Sequence, residues 1–463
     1  MNVQPTPAAY IADPKIASLP ADFVKKISDP AYPADFPEAR LRFRNDRWAA
    51  TIGLDHLSDA DWTDHFGRFQ PLSGNMTQPL AMAYHGHQFR HYNPEIGDGR
   101  GFLYAQLRDH TGRLLDLGTK GSGTTRYSRS GDGRLTLKGG VREILATEML
   151  EALGVETSKT FSLVETGEAL TRGDEPSPTR SAVLVRLSHS HIRIGSFQRL
   201  AFLGDTEMMQ ALVDYCMTFL YNEGGGPHDP AALLHHAVDR IADQAAAFMV
   251  AGFVHGVLNS DNINITGESF DYGPWRFTPF WDARFTAAYF DQDGLYAFGR
   301  QAEAMHWNLA QLAIALRLIC PAEPLIEALD RFPALYQGHL LRRFLWRLGV
   351  TSQGAEQDRR LVAAAERFMI EQRIPVDAFF HQHRGGKCGK QPVIGEAAQA
   401  FASIVSGYRS SGAKSQYWSG DDICSMPVEA VETIWSAIAE DDDWQPLFAK
   451  LEAIRRLGAA LRE

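Results

Sequence analysis

Asp261, Asn262 and Asp271 stand close together in the chain, and their side-chain oxygens are of the kind that holds Mg2+ bridged by phosphates. Asn262 ends the stretch His255-Gly-Val-Leu-Asn-Ser-Asp-Asn262, and Asp271 opens Asp271-Tyr-Gly273. Asp261 is the only carboxylate inside the first stretch, which makes it the natural proton acceptor there. An Asx-rich turn would use the same residue types with no chemistry at all. Upstream, Lys120 closes an apolar run and Glu143 falls on a helical pattern. A lysine on nucleotide phosphates, held by a helix glutamate, has this form; so does a surface salt bridge. Arg186 and Arg193 flank Ser188-His-Ser-His191. Guanidinium forks match phosphate oxygens, although a charged strand edge reads the same way. Gly97-Asp-Gly-Arg-Gly101 and Gly131-Asp-Gly133 would let backbone N–H groups approach phosphates. Neither is a Walker loop, and no G-x-G-x-x-G opens a helix straight after a strand.

Other clusters point to packing rather than chemistry. His85, His87 and His91 do not have zinc spacing and read as hydrogen-bonding residues. His381, His383 and Cys388 lie in a Gly/Lys-rich loop, and Cys388 has no base beside it in the chain. His235-His236 lies on an amphipathic helix, and Glu440-Asp-Asp-Asp443 reads as a solvated acidic turn.

The elements needed to hold these residues follow from periodicity and punctuation. Seven prolines between Pro5 and Pro37 favour extended structure at the start, and an arm over residues 1–80 is expected to wrap the body. Phe102–Leu107 and Arg113–Lys120 read as strands joined through Asp109-His-Thr-Gly112. Val141–Leu153 reads as a helix with Val141, Ile144, Leu145 and Met149 on one stripe and Glu143 roughly opposite Val141. Ala182–Leu187 is a short strand pattern. Beyond it the chain turns helical, with Asp205 and Pro230 as starts and Gly224-Gly-Gly226 as a stop. Asn264-Ile265 and Arg276–Phe280 read as short strands. Trp307–Cys320, Asp358–Glu371 and Pro446–Leu461 read as helices. This order predicts an α+β chain: a β-rich lobe over 81–200, a helical lobe over 201–330 carrying the reactive loop, and a helical extension over 331–463. A nucleotide cleft would lie between the lobes.

Composition narrows the partners. With 463 residues, 44% of them hydrophobic and a formal charge of −10, the chain reads as an ordinary globular protein and not a general nucleic-acid binder. Its start lacks a secretory pattern, and no run of about 18 apolar residues predicts a membrane span. Four scattered cysteines, with no C-x-x-C, suit a reducing cytoplasm, with room for one disulfide and most thiols buried as small hydrophobes.

Protein kinases carry a catalytic loop H-R-D-x-x-x-x-N followed by D-F-G. His255, Asn262 and Asp271-x-Gly273 keep that spacing, but Val257 stands where the catalytic aspartate belongs. Taken together, the motifs resemble those of one family, the selenoprotein O (SelO, also YdiU) protein adenylyltransferases. The matching stretches are Tyr84–Phe89, Asn93–Arg100, Lys120-Gly-Ser-Gly123, Tyr127-Ser-Arg-Ser-Gly-Asp-Gly-Arg134, Arg142-Glu143, Arg186-Leu-x-x-Ser-His-Ile-Arg193, His255–Asn262 and Phe270-Asp-Tyr-Gly-Pro274. They run in one order over residues 80–320; the resemblance is weak over the C-terminal extension, and the selenocysteine or cysteine motif that ends many members is replaced by Leu461-Arg-Glu463.

The resemblance implies a two-lobed, protein-kinase-like (pseudokinase) fold that binds ATP in a flipped orientation. It implies transfer of AMP to Ser, Thr or Tyr hydroxyls of proteins, the chain itself included, with release of pyrophosphate. It places Lys120 on the phosphates with Glu143 orienting it, and Gly97, Gly99, Arg100, Asp132 and Gly133 along the nucleotide site. It assigns phosphate binding to Arg186 and Arg193, proton acceptance to Asp261, and Mg2+ or Mn2+ binding to Asn262 and Asp271. The rival readings are a kinase-type phosphotransferase and an inactive nucleotide-binding scaffold. Val257 counts against the first, and the joint presence of Asp261, Asn262 and Asp271 against the second.

Overall fold

The strands Leu103–Arg108 and Leu114–Lys120 form the antiparallel hairpin at the centre of a sheet in the computed structural model, which describes residues 8–173, 175–387, 395–412 and 415–463. Gly112 closes the connector with φ 82°, a conformation open to glycine at no steric cost, and its N–H donates to Asp109 O. The sheet runs in the order Ser28–Pro30, Leu80–Met82, Leu103–Arg108, Leu114–Lys120, Thr179–Ser188, Lys159–Leu170 and Arg40–Arg44, with each neighbouring pair antiparallel. Residues 8–80 therefore add strands to the sheet and helices beside it; Trp62 and Phe66 of the helix Asp59–Phe66 are fully buried.

The helix Leu137–Ala152 packs across the sheet and starts earlier than the periodicity predicts. Thr136 caps it, accepting the Gly139 N–H, and the glycines that follow allow a close approach. A Cβ on Gly140 would overlap Leu163 of the neighbouring strand. The predicted stripe of Val141, Ile144, Leu145 and Met149 is fully buried. The strand Lys159–Leu170, a principal member of the sheet, has no counterpart in the sequence-based expectation.

From Thr206 the described chain is mostly helical. Asp205 caps the helix Thr206–Tyr215 and Asp229 caps Pro230–Ala251, which Gly252 ends in the left-handed conformation. Beyond it, Phe253–Val254 pairs with Arg276–Phe277. Asn264-Ile265 is not a strand; it makes one isolated bridge, Arg193 to Asn264, because its neighbours turn back at Gly267. The helices Gln301–Leu316, Ala355–Gln372 and Gln445–Arg462 correspond to the predicted ones. The acidic turn is not simply solvated: Asp442 takes Arg180 at 2.7 Å and Arg42 at 3.1 Å from the sheet.

The C-terminal helices brace the helix that carries Glu143. Arg455 donates to both oxygens of Glu148 (3.0 and 2.9 Å), and Lys138 pairs with Glu432 at 2.7 Å. Cys216, Cys320 and Cys424 are buried free thiols, and Cys388 lies outside the described residues. No described helix is long and apolar enough to cross a membrane.

Candidate active site

Two neighbouring strands, the glycine segments and the reactive loop bring most of the predicted residues to a cavity of about 640 Å3. Gly97, Gly99, Arg100, Lys120, Asp132, Gly133, Arg186, Arg193, Asp261 and Asp271 all line it. Glu143 and Asn262 do not, and each stands behind a residue that does. Glu143 is buried at the back, 2.5 Å from Lys120 Nζ. Asn262 follows Asp261 in the single turn Ser260–Asn262, and its Nδ2–H donates to Val257 O at 3.0 Å.

Lys120 ends its strand with Nζ between two carboxylates, Glu143 Oε1 and Asp271 Oδ1 at 2.7 Å. Arg186 Nη2 reaches the same Asp271 oxygen at 3.4 Å. Burial works against charge on Asp271, but Lys120, then Arg186 and Arg193, overcome it and hold its carboxyl well below the usual range. The Asp271 backbone is left-handed, at φ 62°, and its paired side chain helps to hold that conformation.

Arg193 caps no helix end with a short polar group; it is itself the residue before the helix Ile194–Leu203, tied to the reactive loop by Ile194 N–H on Ile263 O at 3.1 Å. Its guanidinium donates to Asp261 O at 2.8 Å and to Asp98 Oδ1 at 3.0 Å. Arg186 Nε and Nη1 and Arg193 Nε are buried with no hydrogen-bond partner. Both arginines line the cavity, and guanidinium groups with N–H donors left over suit phosphate oxygens.

His255 fixes the loop that carries Asp261. Its Nε2 lies 3.0 Å from Phe270 O, and its N–H donates to Gln301 Oε1. Burial pushes the imidazole pKa down despite the Phe270 carbonyl, so the ring stays neutral and serves as a strut between the loop and Asp271. Asp261 is buried, with Oδ1 unpartnered and Oδ2 accepting only a long bond from Gln88 Nε2 at 3.4 Å. Burial pushes its carboxyl up to about 6, against the pull of Arg193. That is the environment of a proton acceptor poised near neutral pH.

The glycine segments line the cavity for a steric reason as well. A Cβ on Gly97 would overlap the Tyr127 ring, and one on Gly99 would come within 2.9 Å of Tyr127 O. Gly133 has φ 70° and lies against Gly123. Asp132 is exposed and held by a two-bond fork from Arg172, at 2.8 and 3.1 Å. Arg100 makes no ion pair among the described residues.

Sequence reasoning missed Asp98, Gln88 and Arg172 as members of the site. Asp98 sat unremarked inside the glycine segment; buried, it accepts from Arg193 and from the Met82 N–H. Gln88 belongs to the hairpin Gly86–Gln88 with His91–Asn93, which clamps the reactive loop through His87 N–H on Ser260 Oγ (2.7 Å) and Phe89 N–H on Asn259 Oδ1 (3.0 Å). A Cβ on Gly86 would crowd Asp261, so glycine there lets the clamp close. The histidines of that hairpin region are hydrogen-bonded: His85 to Tyr92 and His87 to Gln198, each at 2.7 Å. No group of three or more His, Cys, Asp and Glu residues suited to a metal occurs among the described residues.

The lysine–glutamate pair, the His255 loop and the Asp271-Tyr-Gly273 segment stand in the mutual arrangement of a protein kinase, with a valine in place of its base. Comparison with known proteins agrees. The family model described as "Protein adenylyltransferase SelO" matches residues 9–455, so the resemblance extends through the helical extension, where sequence motifs alone indicated little. A "Protein nucleotidyltransferase YdiU" of Synechocystis sp. is 42% identical over 464 residues, covering 94% of this chain and 95% of its own. Its namesake in Gloeobacter violaceus is also 42% identical, covering 96% and 95%. Among solved structures, a Toxoplasma gondii protein described as having a protein-kinase fold and no enzymatic activity overlaps 65% of this chain and 86% of its own, at 14% identity and a TM-score of 0.24; that overlap is too loose to add weight. On the family match and these relatives, the chain belongs to the SelO protein adenylyltransferase family.

Proposed function

We propose that this chain transfers AMP from ATP to hydroxyl groups of protein side chains, with Asp261 as proton acceptor. The observation that carries this reading is the state of Asp261: buried, with one oxygen unpartnered, and raised to about 6, in a loop that lacks the kinase base. The hydroxyl oxygen attacks the α-phosphorus as Asp261 takes its proton. The bond from the α-phosphorus to the bridging oxygen breaks, and pyrophosphate leaves with the electron pair. Lys120, Arg186 and Arg193 oppose the negative charge that grows on the departing phosphates, and their positions are fixed beforehand by Glu143, Asp271 and Asp98. Gly97, Gly99, Arg100, Asp132 and Gly133 line the same cavity, where they would flank the nucleotide.

Asn262 and Asp271 would hold Mg2+ or Mn2+. The fit rests on donor chemistry: Asn262 spends its N–H on Val257 O and leaves its carbonyl oxygen, and Asp271 is held ionised. A bound divalent ion would supply charge neutralisation on the phosphates.

ATP labelled on the α- or the γ-phosphate separates the readings. Label from the α position is expected on protein, and none from γ. Transfer of γ-label would make the chain a kinase-type phosphotransferase, and binding with no transfer would make it a scaffold. Glu143→Gln tests the positioning of Lys120. With its glutamate partner weakened, Lys120 shifts toward Asp271, and kcat/KM for α-transfer is expected to fall about 10- to 100-fold, the cost of displacing a phosphate contact by an ångström or so. An unchanged kcat/KM would remove Glu143 from the site.

A further inference from the structure

A second cavity, of about 380 Å3, shares no lining residue with the first. It joins three parts of the fold: Arg113 at the tip of the central hairpin, Arg240 and Gln244 on the helix Pro230–Ala251, and Glu268 on the segment leading to Asp271. Its volume falls in the lower range of small-molecule sites.

Its polar groups are unevenly satisfied. Gln244 lines the cavity and is 4% exposed, and its buried Oε1 has no hydrogen-bond partner. A buried amide left unpaired is costly, which is unusual unless something completes it. Arg240 is exposed and makes no ion pair among the described residues, and Arg113 spends only Nε, on Asp109 at 3.3 Å. The remaining arginine, Arg343, is consumed by Asp243 at 2.6 Å and by Gly154 O, so that pair neutralises itself. Glu268 accepts the His189 N–H at 2.9 Å. Burial pushes its carboxyl up to about 7, so beside the arginines it opposes an anion less than an ordinary carboxylate would. Tyr221 supplies an aromatic wall: its ring stacks on His236 at 4.6 Å and 22°, and its hydroxyl is anchored on Ile265 O at 2.7 Å.

We propose that this cavity is a second binding site for an adenine nucleoside monophosphate, with the base on Gln244 and Tyr221 and the phosphate on Arg240 and Arg113. A glutamine amide matches the donor–acceptor edge of adenine, aromatic rings take the base face, and guanidinium forks take the phosphate. The proposal stands apart from the transfer chemistry. Its place in the fold gives a nucleotide there a route to the active site, because Glu268 is followed by Ser269, whose N–H and carbonyl are pinned to Glu156 O and Ser158 N–H, and then by Phe270 and Asp271.

The test is photolabelling of the whole protein with 8-azido-AMP followed by peptide mapping, with α-label transfer from ATP measured on the same samples. Two labelled regions are expected, one around residues 97–134 and one around residues 220–268. In the double variant Arg240→Glu with Gln244→Leu, label in the second region is expected to fall at least about tenfold, as loss of a charged hydrogen bond dictates, while label in the first persists and reports an intact fold. Excess AMP should protect the second region at least about tenfold better than adenosine or inorganic phosphate, since each of those carries only part of the contact set. Label confined to the first region, equal labelling of the second in the double variant, or protection by phosphate alone as strong as by AMP would each overturn the proposal. Failure of α-transfer with both regions labelled would instead strike only the reaction proposed for the first cavity.

Discussion

Asp271→Ala is expected to lower transfer of the α-phosphate label by about a thousandfold, the scale on which loss of one preorganised electrostatic group acts in a closed site. The size follows from how much depends on that carboxylate. Lys120 and Arg186 both end on Asp271 Oδ1, at 2.7 and 3.4 Å, and the proposed divalent ion would share the same side chain. Alanine leaves two nearly buried cations, 5% and 7% exposed, with Glu143 still on Lys120 and no ion-pair partner for Arg186 among the described residues. Breaking one partner out of a buried pair costs about 3–5 kcal/mol; because 28% of the Asp271 side chain is exposed, about 3 kcal/mol is expected here. Chemical denaturation at pH 7 would measure that loss, and transfer would be assayed at a temperature where the variant remains folded. Asp271→Asn keeps the volume and removes the charge, and should match alanine in activity while recovering part of the stability. Full transfer by either variant would eliminate the assignment of Asp271.

The reactive loop was legible because its chemistry is written in a local spacing: His255, Asn262 and Asp271-x-Gly273 lie on one continuous stretch. The hairpin ending at Lys120 and the helix bearing Glu143 were legible from apolar runs and punctuation, but their contact was not. It depends on sheet register, with Lys120 opposite Leu184 and Arg186 opposite Gly118, and register is set by partners distant in sequence. The same limit hid Asp98, whose role exists only because Arg193 reaches it from the start of another helix. Residues 8–80 concealed strands for a different reason. Arg40–Arg44 reads Arg-Leu-Arg-Phe-Arg, too charged for a core strand, yet it pairs with Lys159–Leu170; Arg42 meets Glu165 at 2.7 Å, and Arg44 lies over the Trp62 ring at 4.5 Å. The C-terminal extension showed helical periodicity but no purpose; Arg455 on Glu148 gives it one, as a brace for the helix of Glu143.

Asp261→Asn should separate stability from activity, in opposite directions. In the folded chain burial raises the Asp261 carboxyl to about 6, from an ordinary 3.8. Between about pH 4 and pH 6 the folded state therefore holds a proton that the unfolded chain has released, and stability falls as pH rises through that window. Above it the penalty is complete, and a difference of about two pKa units sets its scale at up to about 3 kcal/mol. Asparagine carries no charge to desolvate, so in EDTA the variant should be more stable than wild type at pH 7, with the advantage gone at pH 4. With its amide oxygen toward Gln88 Nε2, the asparagine keeps the one side-chain hydrogen bond that Asp261 Oδ2 accepts. Yet the same change removes the proton acceptor, and α-transfer at pH 7 is expected to drop about 10²- to 10⁴-fold. A merely structural Asp261 would give the stability gain with transfer intact; a paired, favourably buried one would give a stability loss. Gain of stability together with loss of transfer would be the signature of a carboxylate kept in an unfavourable place for its chemistry, and would account for the loop's departure from the kinase pattern: with Val257 unable to accept a proton, the buried carboxylate four residues later would take the task.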